Sequence, residues 1–207
     1  MKRPLLSLVI FSIVFFGIII FSVIFGGYSS LYRAENRARD TKILVTVECQ
    51  KQLDLVPELI SLARKTDDFN PNGPNQADLK QLEQTALKHK AILTQITSRK
   101  APLEKELVLT FEQSQVQVSR DIIGLINKIK KDKELESSQE FQTLEKKFND
   151  LEITVFYHSH QYNQEAIYFN HRKSIFPGFL IAPLFGLDKI NIYEISTDLL
   201  KPENLRS

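Results

Sequence analysis

Residues Leu5 to Phe25 read LLSLVIFSIVFFGIIIFSVIF, a stretch without a single Lys, Arg, Asp or Glu. At about 1.5 Å per residue, a helix of this length spans the roughly 30 Å hydrocarbon core of a bilayer. Its polar interruptions are mild. Ser7, Ser12 and Ser22 can return their hydroxyls to carbonyls on the preceding turn, and Gly17 adds no polar side chain. The stretch therefore predicts a membrane-spanning helix. A cleaved secretory signal is the competing reading, because Met1-Lys2-Arg3 is a basic flank. However, the run exceeds the roughly 7–15 residues of a signal core, and it exits through Gly26-Gly27-Tyr28-Ser29-Ser30 without the alanines of a peptidase site. The expectation is a retained, single-pass anchor over residues 1–28.

Working outward, basic residues flank both sides of the stretch. Lys2 and Arg3 precede it, and Arg33, Arg37, Arg39 and Lys42 follow it, so charge asymmetry selects neither side of the membrane for the rest of the chain. Setting aside Lys2 and Arg3, the 207-residue chain carries 25 basic and 25 acidic residues. A nucleic-acid binder needs a basic excess to neutralise phosphate, and none is present, so no nucleic-acid partner is expected. The cluster Lys128 to Lys133 reads instead as the exposed end of a helix, where cations suit the dipole. The single cysteine, Cys49, excludes an intrachain disulfide.

After the Gly26-Gly27 break the apolar residues thin to a stripe. Leu31, Ala38, Val45, Cys49, Leu53, Val56, Ile60 and Ala63 recur at helical spacing and predict a helix over about 29–66, kinked near Pro57. The turn formers from Asp67 to Asn75 end it, and Asn75 is placed to cap a second helix over 76–99, striped by Leu79, Leu82, Ala86, His89, Leu93 and Ile96. Pro102 opens a third helix over 102–132 with Leu107, Phe111, Val118, Ile122, Leu125 and Ile129 on its face, and Lys130 to Glu136 reads as the turn. Ser137 with Glu140 fits a capping box for a fourth helix over 138–174, striped by Phe141, Leu144, Phe148, Leu151, Val155, His158, Tyr162, Ala166 and Phe169. Local β character is confined to Ile43 to Val47 and Asn191 to Ile195.

Four long helices with one apolar face each predict an all-α fold. The expected form is a transmembrane helix followed by an antiparallel up-down-up-down four-helix bundle over 29–174, with coiled-coil-like crossings of about 20°. An even number of bundle helices returns the chain to the membrane. There the irregular tail over 175–207 begins with the apolar run Ile175 to Leu187, too short and too Pro-broken to cross. It is expected either at the membrane interface or packed over the near end of the bundle.

No catalytic group stands out. His158 and His160 lie about 200° apart on a helix, and no histidine has a Glu three residues earlier, the spacing of bundle metal sites. Cys49 falls in an apolar stripe and reads as a small buried hydrophobe. Phosphate-cradling and nucleophile-elbow motifs are absent from the sequence. Neither a metal nor another cofactor is expected.

Two segments carry a family resemblance. Asn36 and the run Gln52-Leu53-Asp54-Leu55-Val56-Pro57-Glu58-Leu59-Ile60 stand at the front; Phe141 to Leu144, Glu152, Tyr162-Asn163, Asn170, Phe176-Pro177, Ala182 and Gly186 stand at the back. In both, the chain resembles the LemA family of bacterial membrane-anchored helical proteins, as a distant member. It departs from the family pattern at Lys42, at Ile153 with the following Phe156, Tyr157, His158 and Ser159, and at Glu165. The resemblance implies an anchor-plus-bundle architecture, a role in envelope or membrane organisation and no established catalytic activity. It marks Asn36, Asp54, Pro57, Leu59, Glu152, Tyr162, Asn163, Asn170, Phe176 and Pro177 as structural or interaction positions. Asn163 and Asn170, seven apart on one helical face, are expected to stitch the last helix to the first or to face a partner.

The expected function is that of a non-enzymatic scaffold or adaptor in a bacterial inner membrane, contacting the lipid bilayer and a membrane or envelope protein. The competing readings are a membrane-tethered sensory bundle and, further off, a metal-dependent enzyme. The partner's identity, the oligomeric state and the side of the membrane stay open at this point.

Overall fold

The structure, a computed structural model, describes residues 3–66, 69, 73, 75–99 and 102–193, with side chains from residue 7 onward. Every regular element among them is a helix. In chain order these are α1 (Arg3–Ala63), α2 (Gln76–Ser98), α3 (Lys105–Ile129), the single turn α4 (Lys133–Glu136), α5 (Gln139–Ser174) and the short α6 (Gly178–Leu184).

The first correction concerns α1, one unbroken helix of 61 residues, about 90 Å long. The expected break at Gly26-Gly27 does not occur, because apolar residues on one side and stripe residues on the other are both satisfied by continued helix. The helix also runs on through Pro57 to Ala63. From residue 7 to residue 25 no side chain is buried, and this is the one described helix long and apolar enough to cross a membrane. Ser22 donates to the carbonyl of Ile18 at 2.8 Å, as its place in such a helix requires. Beyond Gly27 the same helix becomes amphipathic, and all eight stripe residues from Leu31 to Ala63 are buried.

That stripe packs chiefly on α5. Ser30 meets Arg172, Arg37 meets Glu165, Gln52 meets Glu152 and Lys65 meets Glu140, at 2.5 to 2.9 Å. Between α2 and α3, Asp78 and Asn75 bind Lys128, Thr85 binds Asp121, and His89 meets Ser114. Arg64 reaches Glu83 to join α1 to α2. Leu59, Phe111, Phe141, Phe148 and Phe169 are among the large side chains enclosed between these helices.

Helix ends differ from expectation in ways the local chemistry explains. Ser138, not Ser137, caps α5 by accepting from the amide of Phe141 at 3.2 Å, which leaves Glu140 free to pair with Lys65. Asn75 makes no side-chain cap, because its Oδ1 accepts from Lys128. Pro102 precedes α3 in extended chain, with Glu104 at the N-cap. The charged stretch after α3 is not all turn, since Asp132 accepts from the amides of Glu134 and Leu135 and thereby nucleates α4. Ile43 to Val47 lies within α1, Asn191 to Tyr193 forms no strand, and residues 194 and 195 of that second β-like stretch lie outside the described residues.

As far as Tyr193 the tail returns along the domain, and this part is not wholly irregular. After a cis Phe176-Pro177 bond, α6 folds back onto α1 and α5. A Cβ on Gly178 would lie 2.1 Å from the carbonyl oxygen of Arg172, so only glycine allows this close turn out of α5. Gly186, at φ 63°, ends α6 in the left-handed region, and extended chain then carries Leu187, Ile190 and Tyr193 into the core.

Candidate functional site

Two constellations gather the polar residues that the apolar stripes leave over. The first is a clamp by which α5 holds the returning chain, whose Tyr193 packs on Tyr162 of α5 and Phe111 of α3. The side-chain amide of Asn170 donates to the carbonyl of Ile190 at 2.8 Å and accepts from its amide at 3.0 Å. Asn163 treats Tyr193 in the same way, at 2.6 and 2.7 Å. The spacings match: seven helical residues rise about 10.5 Å, and three extended residues cover about 10 Å. Between the two, the hydroxyl of Tyr162 donates to the carbonyl of Asn191 at 2.7 Å, and Asn191 donates onward to the carbonyl of Leu103 at 2.8 Å. The two asparagines neither stitch α5 to α1 nor leave their amides free for a partner, the two expectations from their spacing; each grips the returning backbone, which has no strand to pair with among the described residues. Tyr162→Phe is expected to cost about 1 kcal/mol in urea unfolding, the net worth of one buried hydrogen bond.

The second is a buried polar layer between helices. Glu152 Oε1 accepts from Gln52 of α1 at 2.5 Å and from Ser119 of α3 at 2.6 Å, and Gln115 donates to Gln52 at 2.7 Å. Glu152 is 1% exposed, and burial raises its carboxyl above the ordinary range, with the hydrogen bonds from Ser119 and Gln52 opposing that shift. Its Oε2, the Oε1 of Gln115 and the hydroxyl of Ser159 are buried without a hydrogen-bond partner among the described residues. His89 lies nearby in the core, stacked on Phe111, and burial pushes its pKa down to about 4. The Ser114 hydroxyl already donates to Phe111, so it accepts from the Nδ1 of His89 at 2.7 Å, and that nitrogen carries the proton of the neutral ring. Among the described residues no group of three His, Cys, Asp or Glu side chains is placed to hold a metal. Cys49 is fully buried, and its thiol is pushed well above its ordinary pKa by that burial.

Sequence reading overlooked Gln52, Gln115 and Ser119 as members of a site, although a signal was present. Gln52 stands three after Cys49, Gln115 four after Phe111, Ser119 four after Gln115 and Glu152 four after Phe148, all positions on the apolar faces. The stripe of α5 passes through Glu152 and Ser159, with Leu151 and His158 at its edge.

The remaining family positions are dispersed. Asn36 is half-buried on α1, and Leu59 is fully buried. Asp54 and Pro57 are exposed along a groove between α1 and α2 that Leu53, Ile60, Glu83 and Leu87 also line. Phe176 is exposed, and Pro177 leads into α6. Two departures from the family pattern have local uses. Lys42 is buried and donates to the carbonyl of Arg99 just past α2, a favourable place for a cation; Glu165 pairs with Arg37, which also stacks on Tyr168.

These features define an all-helical protein whose N-terminal helix is suited by length and composition to a membrane. A model of the LemA family matches residues 79–203, and the chain belongs to that family. The match starts in α2, so it includes Glu152, Tyr162, Asn163, Asn170, Phe176 and Pro177 but not Asn36, Asp54, Pro57 or Leu59. No curated protein and no solved structure matches the chain.

Proposed function

We propose that this chain is a non-enzymatic, membrane-anchored scaffold or adaptor, a four-helix bundle of α1, α2, α3 and α5 in up-down-up-down order at a bacterial inner membrane. The antiparallel arrangement is supported by the paired positions, which rise along α1 while they fall along α5. One observation carries the functional reading. The helix that exposes only apolar and small residues between 7 and 25 is the same helix that buries Leu31 to Ala63 in the domain core, so the bundle is held to the bilayer without a flexible joint. A rigid stalk of this kind suits a protein that presents a surface at a fixed height, and the absence of a reacting constellation among the described residues fits binding better than turnover.

A photo-crosslinking side chain in place of Leu87, which is strongly exposed beside the α1–α2 groove, tests this in cells. The expected result is a discrete adduct with another membrane or envelope protein that is absent when the probe replaces Tyr157, exposed on α5. Identical patterns from the two positions count against the scaffold.

A further inference from the structure

The apolar residues that α6 leaves uncovered lie beside the stalk, at the height where its apolar surface ends. Ile181 and Ala182 of α6 face inward, and Ile181 rests on Gly27, where an added Cβ would come within 2.3 Å of its Cδ1. Gly27 lies two residues, about 3 Å along the axis, beyond Phe25. On the opposite side Phe179, Leu180, Pro183 and Leu184 share one face of α6, and Phe176 flanks it; Leu184 is 70% and Phe176 67% exposed. On the face of α1 that α6 meets at Gly27, the residues one and two turns earlier are Ile24, Val23 and Ile20, all apolar, so the uncovered face of α6 adjoins the apolar part of the stalk.

The surrounding side chains follow the order of a lipid boundary. Tyr28 stacks on Tyr32 and packs on Phe185 with ring centroids 4.3 Å apart, placing amphipathic rings where the apolar surface gives way. Arg33 follows six residues, about 9 Å, beyond Gly27, and Arg172 and Lys173 end α5 above α6, while the nearby Glu35 is paired with Arg39. Apolar face, aromatic ring and cations thus succeed one another along the stalk, as acyl chains, interface and phosphate do along a bilayer normal.

We infer that α6, with Phe176 and Phe185, is a second lipid-contacting element: a footing seated at the boundary between headgroups and acyl chains beside α1. The inference rests on the anchor reading of α1. It assigns the Phe-Pro turn and Gly178 the task of laying an apolar helix along the bilayer surface, so that the domain is fixed in tilt as well as in height.

The chain contains no tryptophan, so a single introduced Trp reports its own surroundings. Four full-length variants, F15W, F179W, L184W and L87W, are reconstituted in phosphatidylcholine–phosphatidylglycerol vesicles with brominated acyl chains. The expected result is strong quenching of F15W in the anchor, comparable loss of emission from F179W and L184W, and none from L87W in the groove of α1 and α2. Quenching of F15W without quenching of F179W and L184W overturns the footing while leaving the anchor intact, including when those two emit from a dry protein contact such as a second copy. No quenching of F15W overturns the anchor reading, and the footing falls with it.

Discussion

Replacing both Asn163 and Asn170 with Ala is expected to release the chain from Leu187 to Tyr193 from the face of α5. Four hydrogen bonds disappear together, and at about 1 kcal/mol net for each the loss is about 4 kcal/mol of local stability. It is reinforced by the amides and carbonyls of Ile190 and Tyr193, which would be left without their partners beside an apolar core. The remaining tether is burial of Leu187, Ile190 and Tyr193, with the hydrogen bonds of Tyr162 and Asn191. Hydrogen exchange at the amides of Ile190 and Tyr193 is the direct measurement. Both should pass from protected to freely exchanging in the double variant, whereas each single variant frees chiefly its own half. Asn→Asp at either position keeps the acceptor and removes the donor, and should fall between the two. Unchanged protection in the double variant would mean that apolar packing alone seats the segment.

The second large effect is on pH dependence, where His89 and Glu152 act in opposite senses. Burial lowers the pKa of His89 from 6.5 to about 4, so between those values the unfolded chain holds more protons than the folded one. Stability therefore rises with pH across that window and is complete above 6.5, by on the order of 3 kcal/mol. For Glu152 the folded pKa is raised above the ordinary 4.5, so from about pH 4.5 upward the folded protein retains a proton that the unfolded chain has lost. Stability then falls as pH rises towards the folded pKa. Denaturant unfolding from pH 4 to 8 separates the two. His89→Leu should remove the rise, and Glu152→Gln should remove the fall, because a neutral carboxamide can still accept from Gln52 and Ser119. The slopes are decisive, not absolute stabilities. A Glu152→Gln curve parallel to the unmodified protein would assign the titration to another group.

The two sites differ in how far the sequence reveals them. The stripe from Leu31 to Ala63 is legible because an apolar face depends only on spacing along one helix, and the same holds for His89 and Cys49, whose burial follows from their place in such stripes. Glu152 stood out through its family position, but its partners did not: Gln52 is 100 residues away, and nothing in the spacing of either helix says which of their positions share a layer. Helix starts were legible in part: the cap of α5 lies one position from Ser137, Asn75 stands at the start of α2 without a side-chain cap, and α3 begins three residues after Pro102. Ser137 and Ser138 are chemically equivalent, and the choice between them depends on where α4 ends.

By itself, then, the sequence determined the four long helices, their inward faces and an N-terminal segment suited to a bilayer, since hydropathy and period act over a few turns, whereas the short α4 and α6 emerge only in the structure. Tertiary structure alone decided that Gly26-Gly27 is not a joint, because a helix stays continuous where both its flanks are satisfied. It also decided what Asn163 and Asn170 hold. An asparagine seven residues from another presents the same amides whatever approaches. The returning chain, 20 to 30 residues further on, reaches their height with backbone groups in need of partners, and that arrival makes them a clamp.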